Sequence, residues 1–576
     1  MKPLIELPGA ALFSVVAALL LLLFAVVHAA ETEDEDPPQA ESAVLNSPEL
    51  MSHYLAAEIA VHDGDLERAF EHFMQILSLA NEASIARRAT HIGLHLKSGR
   101  VLDAAKMWVQ LSPDDLEAWK ALLVLQVNAD DREGALQATQ SLMGLAAAQQ
   151  SDGFLLVAAV VAESGNKEIG LELVKELAQR HGDDPRAHYA LAIAYFGQKD
   201  EAAAETSLRT ALELKKDDLK IWVLLARILD AQQRSEESEK LLQQGLVHLP
   251  DNDLLRLSYA EHLVIHEKFD QAYREFKLLH KSLPENDEIT QALGSLAIEL
   301  ELWSDAREIW NEMREKHGKK ERALYFLGQI EEGSGNSEKA LDYYNQVGGK
   351  LRTDARIRSA QLLARQGDLQ QALKVIATAR LLSMEDAVRL YLVESDLLAE
   401  ANKWMQAMGL LDRALAEHPQ QVDLLYARGM LGDDMGSLEI LERDMHAIIK
   451  IDAENAQALN ALGYTLTAYP ERLEEAYTLI KQAYTLMPES AAILDSMGWV
   501  EFRMGNYAEA EKFLRQAAAK DKDSEIMAHL GEVLWVRGHH DEAAKIWQEA
   551  LSREPESEHV LSTMKRLQPQ DEQQVE

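Results

Sequence analysis

Residues 191–211 read LAIAYFGQKDEAAAETSLRTA, and this stretch contains the pattern that decides the fold. Small side chains stand at Ala192 and Ala204, and a large apolar side chain follows at Leu208. The same three residue types recur after each interval of 34 residues, as Ala226, Ser238, Leu242, then Ala260, Ala272, Phe276, then Gly294, Ala306, Trp310. A fixed period of this length indicates a solenoid in which each unit buries its apolar face against its neighbours.

The spacing matches the tetratricopeptide repeat (TPR), in which two antiparallel helices, A and B, form one unit. The two small positions let the helix backbones approach where they cross, and the large residue fills the space between units. Extended in both directions, the pattern predicts an all-α TPR superhelical solenoid of about fifteen helix-turn-helix units. The predicted unit starts are residues 50, 85, 116, 151, 185, 219, 253, 287, 321, 353, 388, 422, 456, 491 and 524. Glycines between the helices, such as Gly335 and Gly505, predict left-handed turns that end helix A.

The repeat pattern is interrupted at two places. The spacing shortens where Gly348 and Gly349 intervene, which predicts a boundary between an N-terminal superhelix, residues 48–350, and a C-terminal superhelix, residues 351–567. The unit that starts at residue 422 has Leu441 where most others have a small residue, so we expect it to be distorted. Residues 557–567 predict a final capping helix, and the polar residues 568–576 predict a disordered tail.

The first 29 residues have the features of a targeting segment. The stretch from Ala10 to Val27 is apolar apart from Ser14, and Val27-His28-Ala29 precedes an acidic run. This arrangement predicts a signal peptide, residues 1–29, cut after Ala29 or Ala30, with an uncleaved membrane anchor as the alternative. Either interpretation places the rest of the chain in the periplasm, soluble after cleavage or held at the inner membrane through residues 10–27. Residues 30–47 are acidic and contain proline, which favours a disordered tether.

The charge and the absence of cysteine exclude several classes of function. The 576 residues include 58 Lys and Arg and 96 Asp and Glu, which gives a formal net charge of −38. Because an acidic surface repels polyanions, nucleic-acid binding through phosphates is excluded, and basic or neutral protein partners are favoured. With no cysteine, the chain has no disulfide, no thiolate metal site and no lipid on an N-terminal Cys.

No motif for catalysis or cofactor binding is found in the sequence. A Gly-rich phosphate loop, an HExxH motif and a nucleophile elbow are all missing, and no segment of ~100 residues lies outside the repeats to form a catalytic domain. The pairs His91/His95 and His262/His266 have the spacing at which two histidines on a helix can share a metal. We interpret them as ordinary helix residues, because the sequence places no third ligand beside them. The sequence therefore predicts a non-enzymatic protein with no catalytic residue, no cofactor and no metal.

The candidate site is a partner-binding surface on the last three A helices. In a TPR array helix A lines the concave surface, and large aromatic residues beside hydrogen-bonding groups are typical of a peptide groove there. The candidate partner-binding residues are Asn460, Tyr464, Asp495, Trp499, Phe502, Arg503, Glu532 and Trp535. The alternative interpretation is that Trp499 and Trp535 pack between units. The asparagine ladder that grips peptide backbone in sugar-transferase TPRs is missing, since its places hold Ala461, Ser496 and His529.

Two stretches resemble a known family more closely than the repeat alone does. One runs from DSMGWV, residues 495–500, to HLGEVLW, residues 529–535, and the other is Ala86-Arg87-Arg88-Ala89. They are similar to bacterial TPR lipoproteins that act as adaptors of a periplasmic carboxyl-terminal processing protease. The resemblance implies a scaffold that binds this protease and recruits its substrates, which include peptidoglycan (cell-wall) hydrolases. Members of that family carry a lipobox Cys and sit on the outer membrane; this chain has no Cys, so the resemblance does not extend to a lipid anchor.

Three other functions are weighed against the adaptor. A scaffold for assembly of another envelope machine, such as polysaccharide export or pili, has nearly the same sequence features. The inner-membrane TPR regulator of lipopolysaccharide synthesis ends in a four-cysteine metal domain, and the absence of cysteine argues against it directly. An enzyme with a TPR arm ranks last, because the repeats leave no room for a catalytic domain.

Overall fold

The computed structural model describes residues 47–96, 99–316 and 320–567, which form 31 α-helices and no β-strand. The predicted all-α TPR solenoid is therefore confirmed. The predicted signal peptide or anchor (1–29), the predicted tether (30–47) except Ser47, and the predicted tail (568–576) lie outside the described residues. Within the described ranges, each helix is too short or too polar to cross a membrane.

Thirty helices form fifteen consecutive A–B pairs, and α31 (Glu558–Leu567) follows the last pair. The A helices are α1 (Pro48–His62), α3 (Ala83–Leu96), α5 (Leu116–Asn128), α7 (Gly153–Glu163), α9 (Pro185–Gly197), α11 (Leu219–Ala231), α13 (Asp253–Ile265), α15 (Asp287–Glu299), α17 (Lys320–Gly333), α19 (Arg352–Arg365), α21 (Ala387–Glu400), α23 (Val422–Asp434), α25 (Ala456–Leu466), α27 (Ala491–Arg503) and α29 (Ser524–Val536). The B helices are α2 (Leu66–Leu79), α4 (Val101–Leu111), α6 (Arg132–Ala148), α8 (Lys167–Arg180), α10 (Glu201–Leu214), α12 (Ser235–His248), α14 (Phe269–Ser282), α16 (Trp303–Lys316), α18 (Ser337–Gln346), α20 (Leu369–Leu382), α22 (Trp404–Glu417), α24 (Leu438–Ile451), α26 (Leu473–Leu486), α28 (Tyr507–Lys520) and α30 (His540–Arg553).

The small and large positions of the repeat meet where helices A and B cross. Ala192 and Ala204 are fully buried, and a Cβ atom at Gly498 would lie 2.5 Å from Cγ of Leu514. The large residues are fully buried at Trp310, Tyr344 and Trp547. Each of these aromatic side chains removes roughly 150–250 Å² of surface from water, so the period that the sequence shows is the period of the core.

The turns after the A helices need a left-handed residue whether or not the sequence supplies glycine. Six of the predicted turn glycines have a positive φ: Gly64, Gly335, Gly367, Gly436, Gly505 and Gly538. Six other repeats place a residue with a side chain there: Asp130, Lys199, Gln233, Glu267, Glu301 and Asn402, with φ between 55° and 62°. Because the left-handed conformation costs a side chain about 1–2 kcal/mol, tertiary packing must impose these turns.

The chain divides into two compact units between residues 318 and 319. Gly348 and Gly349 lie inside the second unit, where a short 3₁₀ turn (Gly349–Leu351) precedes α19, and the boundary expected at residue 350 stays a prediction. In the repeat that starts at residue 422, α23 and α24 have 13 and 14 residues, so these helices keep the usual length. It has two close approaches: a Cβ at Gly429, the expected small position, would lie 2.5 Å from Cε of Met445, and a Cβ at Gly432 would lie 2.6 Å from Cγ2 of Ile440.

Candidate partner-binding surface

The eight candidate residues lie on three consecutive A helices of the second unit. Asn460 and Tyr464 are on α25, and Glu532 and Trp535 are on α29. The middle helix, α27, holds the other four: Asp495, Trp499, Phe502 and Arg503. Helix α27 packs against both α25 and α29. We call this the C-terminal A-helix surface.

A buried pair, Asp495 and His529, joins the middle helix to the last one. Nδ1 of His529 lies 3.0 Å from each carboxylate oxygen of Asp495, and both residues are buried. Burial raises the pKa of Asp495, which His529 opposes. Burial by itself lowers the pKa of His529, but the charge and hydrogen bond of Asp495 outweigh it, so the pKa is raised overall.

The indole of Trp499 stacks on this pair. Its ring lies 4.0 Å from the His529 ring, centroid to centroid, with 19° between the planes. It also stacks with Phe502, with 5.2 Å between the ring centroids and 27° between the planes. Trp499 and Phe502 are nevertheless only partly buried. An indole held in one orientation, with part of its surface open to solvent, is a pre-organised contact for a partner.

Tyr464 extends the polar network across three repeats. Its hydroxyl donates to Oε1 of Glu525 at 2.5 Å and lies 3.5 Å from Nε2 of His529. Burial and the neighbouring Glu525 carboxylate raise the pKa of Tyr464, so the phenol stays protonated and acts as a donor. This network fixes the register of α25 against α29 by hydrogen bonds rather than by apolar packing alone.

Two more of the candidate residues are engaged by the chain itself. Both oxygens of the buried Glu532 accept from the guanidinium of Arg566 on α31, at 2.7 and 2.5 Å. Trp535 packs against the buried Trp547 at 5.7 Å and against His540 at 4.2 Å, centroid to centroid. These ring contacts favour the packing alternative for Trp535, which stays a prediction, and Glu532 anchors the last helix.

Arg503 and Asn460 have polar groups that the chain does not use. Arg503, partly buried at the end of α27, makes no hydrogen bond or ion pair with any residue of the described ranges. Oδ1 of Asn460 is buried and accepts no hydrogen bond within the same ranges. Buried polar atoms are nearly always paired, so an amide oxygen without a donor is unusual at this surface.

The neighbouring repeats contain a cleft that the sequence does not predict. It has a volume of about 450 Å³ and lies between α21, α23 and the start of α25, with Asp396, Tyr426, Asp434 and Asn455 among its lining residues. Burial, with the nearby Glu400, raises the pKa of Asp396. These residues carry no compact motif, because Asp396 and Tyr426 are brought together only by the stacking of consecutive A helices.

The Asp495–His529 pair predicts a stability that falls as pH rises. The folded state raises the pKa of both groups, so it keeps protons that the unfolded chain releases. The titratable groups that face His529 are Asp495, Glu525, Glu532 and Tyr464. The histidine contribution is fully present below its unfolded pKa of about 6.5 and is lost as pH rises through the higher folded value.

Thermal unfolding from about pH 6 to about pH 9 measures this effect, and the double variant Asp495→Asn/His529→Gln should flatten the pH dependence over that range. Neither replacement side chain titrates, whereas His529→Gln alone would remove the group that holds down the pKa of the buried Asp495. Parallel curves for the wild type and the variant would contradict the assignment.

Comparisons with known proteins find the repeat in more than half of the chain. Family models described as tetratricopeptide repeat match residues 196–260, 469–534 and 501–567, and residues 161–218, 292–349 and 357–422. The TPR repeat-containing protein PA4667 of Pseudomonas aeruginosa is 30% identical over 531 residues, which cover 90% of this chain and 89% of that protein.

Solved structures match with lower identity. A structure of Naa15/Naa10 bound to HypK-THB is 14% identical, with a TM-score of 0.30, covering 90% of this chain and 100% of that one. The Cut9–Hcn1 hetero-tetramer of APC/C is 12% identical, with a TM-score of 0.30, covering 91% and 98%. A thermophilic TPR protein of Thermus thermophilus, TTC0263, is 23% identical, with a TM-score of 0.29, covering 31% and 96%.

Proposed function

Because the chain belongs to the tetratricopeptide repeat proteins, whose arrays are protein–protein interaction scaffolds, we propose that it is a periplasmic adaptor of a processing protease. In this proposal it binds a carboxyl-terminal processing protease and brings protein substrates to it, cell-wall hydrolases among them. It carries out no covalent chemistry and needs no cofactor. The adaptor role comes from the resemblance of residues 495–500, 529–535 and 86–89 to periplasmic adaptors.

The observation that carries the proposal is the unused part of the C-terminal A-helix surface. Trp499 is oriented by His529 yet partly open, and Arg503 at the end of the same helix has no partner among the described residues. An aromatic anchor beside a free guanidinium is the kind of contact that dominates binding at protein interfaces. We assign partner contact to Trp499, Phe502, Arg503 and Asn460. In this assignment the other four candidate residues do not touch the partner but hold the surface in place: Tyr464, Asp495, Glu532 and Trp535.

The proposed location rests on the first residues of the chain. We propose that residues 1–29 direct export and that the mature chain is periplasmic, with an inner-membrane anchor through residues 10–27 as the alternative. Residues 30–47 would then be a tether between the membrane and the array in the anchored form.

Charge favours the proposed substrates. The chain has a formal net charge of −38, whereas hydrolases that approach the anionic cell wall are commonly basic. Attraction between opposite charges raises the association rate, and salt screens this attraction. Capture of a basic hydrolase should therefore fall as ionic strength rises.

A reconstituted cleavage assay tests the function. We expect the intact protein to accelerate cleavage of a cell-wall hydrolase by the purified protease and to cleave nothing alone. Arg503→Glu should reduce the acceleration, since it reverses a charge on the proposed contact surface. Arg553→Glu is the matched control: it makes the same charge change at the last residue of α30, a B helix, and should leave the assay unchanged.

Affinity capture from a periplasmic extract separates the proposal from its rival. If the intact protein captures neither a protease nor a hydrolase, the adaptor proposal is wrong. A scaffold for another envelope assembly then becomes the leading function. Equal acceleration by the wild type and Arg503→Glu would leave the adaptor standing and refute the surface.

A further inference from the structure

A separate cluster of histidine and carboxylate side chains lies in the first compact unit. His262 is in the last turn of α13 and His266 follows directly after that helix, so the two rings share one face, 4.5 Å apart between centroids and tilted by 50°. This is one of the two histidine pairs noted in the sequence, where a third ligand was not evident.

The structure supplies the third group from the preceding A helix. Asp230 lies near the end of α11, with Oδ2 3.1 Å from Nδ1 of His262 and Oδ1 3.8 Å from Nε2 of His266. One donor atom from each residue lies within 4.8 Å of the other two. Among the described residues, this is the one trio of His, Cys, Asp or Glu side chains found close enough together to hold a metal ion.

Hydrogen bonding within the protein leaves this cluster incomplete. Oδ1 of Asp230 is buried and accepts no hydrogen bond in the described part of the chain. A carboxylate oxygen buried without a donor is costly, so the arrangement calls for a positive group at that point. His262 is 4% exposed, whereas the side chains of Asp230 and His266 are 33% and 32% exposed, which leaves a path from solvent to the donor atoms.

We propose that Asp230, His262 and His266 form a binding site for a divalent transition metal, with Zn²⁺ as the ion that fits best. Two imidazole nitrogens and one carboxylate oxygen are ligands that zinc prefers. In tetrahedral zinc sites bond lengths of about 2.0–2.2 Å place the ligand atoms about 3.3–3.6 Å apart. Here one donor atom from each residue lies within 4.8 Å of the other two, so side-chain rotations that bring the three atoms closer would complete the geometry.

Such an ion would do two things in this array. It would clip α11 to α13, the A helices of neighbouring repeats, and so stabilise that part of the solenoid by binding only the folded state. With three protein ligands, one coordination position stays open toward solvent, where a water or a partner's side chain completes the shell. Neither effect depends on the proposed protease or on the C-terminal A-helix surface.

Titration of the full-length protein with Zn²⁺ by calorimetry tests the site, and Co²⁺ gives an independent signal through its visible absorption. We expect one tight site in the wild type. Asp230→Asn and His266→Gln should each weaken it by more than about tenfold, because loss of a hydrogen-bonding group that merely supports a ligand already costs a metal site about 10–100-fold. Both replaced side chains are partly exposed, so circular dichroism and melting without metal should match the wild type.

The matched control is the other histidine pair. The double variant His91→Gln/His95→Gln removes the same spacing from α3, where Nδ1 of His95 is bonded to the backbone oxygen of His91, and it should leave the tight site intact. A wild type that binds no Zn²⁺ above the weak, Ca²⁺-displaceable background of an acidic surface would overturn the proposal. So would equal affinity in the wild type, Asp230→Asn and His266→Gln.

Discussion

Replacing Gly531 with leucine should lower the free energy of unfolding of the last repeats by roughly 3 kcal/mol, at the upper end of the effect of overpacking a core. Gly531 is the small residue of α29 at the crossing with α30. A Cβ atom there would overlap the indole nitrogen of Trp547, which is fully buried. The indole is held in place, since its Nε1 donates to the backbone oxygen of Ala528 at 3.4 Å.

Hydrogen exchange followed by mass spectrometry measures where the damage falls. Protection should drop most in α29, α30 and α31 and progressively less in earlier repeats, because stability in a solenoid passes between neighbours. The control is Gly409→Leu on α22, where a Cβ would meet nothing within 4 Å, and leucine should stabilise that helix by about 0.8 kcal/mol. Equal loss of protection along the whole array would contradict the assignment of Gly531 to a crossing.

The repeat could be predicted because its packing needs are local and periodic. Gly531 and Trp547 are separated by the same interval as Gly328 and Tyr344, and each pair meets at one crossing. The same reasoning fails at Leu441, where the repeat lacks a small residue. There Gly429 keeps the close approach of the regular position, with a Cβ 2.5 Å from Cε of Met445, and Gly432 adds a second close approach that the period does not reveal.

The turns were only half predictable. Glycine marks the left-handed residue in six repeats, but Lys199 and Gln233 adopt the same conformation without any sequence signal. Their backbone angles are set by two helices that must pack antiparallel, and the energy of that packing exceeds the strain of one residue.

The candidate surface was placed on three A helices that pack together, but its interior contacts were not foreseen. The sequence marks His529 as a departure from an asparagine ladder and as the start of the HLGEVLW stretch, and in the structure it is the centre of the network around Asp495 and Trp499. Contacts such as Tyr464–Glu525 join residues of separate repeats, so they depend on superhelical twist, which a 34-residue period does not specify. Asp230 was likewise missed beside His262 because it lies on the preceding repeat.

Truncating Trp499 to alanine should weaken partner binding by more than about 2 kcal/mol, or roughly thirtyfold in Kd. The reason is that its indole is already held by His529 and Phe502, so a partner gains an ordered aromatic contact at little entropic cost. Calorimetric titration of the purified protease, or of its hydrolase substrate, into the wild type and the variant measures the change.

Trp535→Ala supplies the control that distinguishes binding from folding. Trp535 is partly buried against the fully buried Trp547 and against His540, so its loss should lower the melting temperature while the fraction that remains folded binds with nearly the wild-type Kd. Trp499→Ala should show the reverse order, with the larger change in Kd and the smaller change in melting temperature. If the two variants lose affinity and stability in the same proportion, Trp499 is a packing residue and the proposed contact lies elsewhere. If Trp499→Ala and Arg503→Glu both lose affinity while Trp535→Ala and Arg553→Glu keep it, the partner binds along α27. Only that helix carries both of the affected side chains.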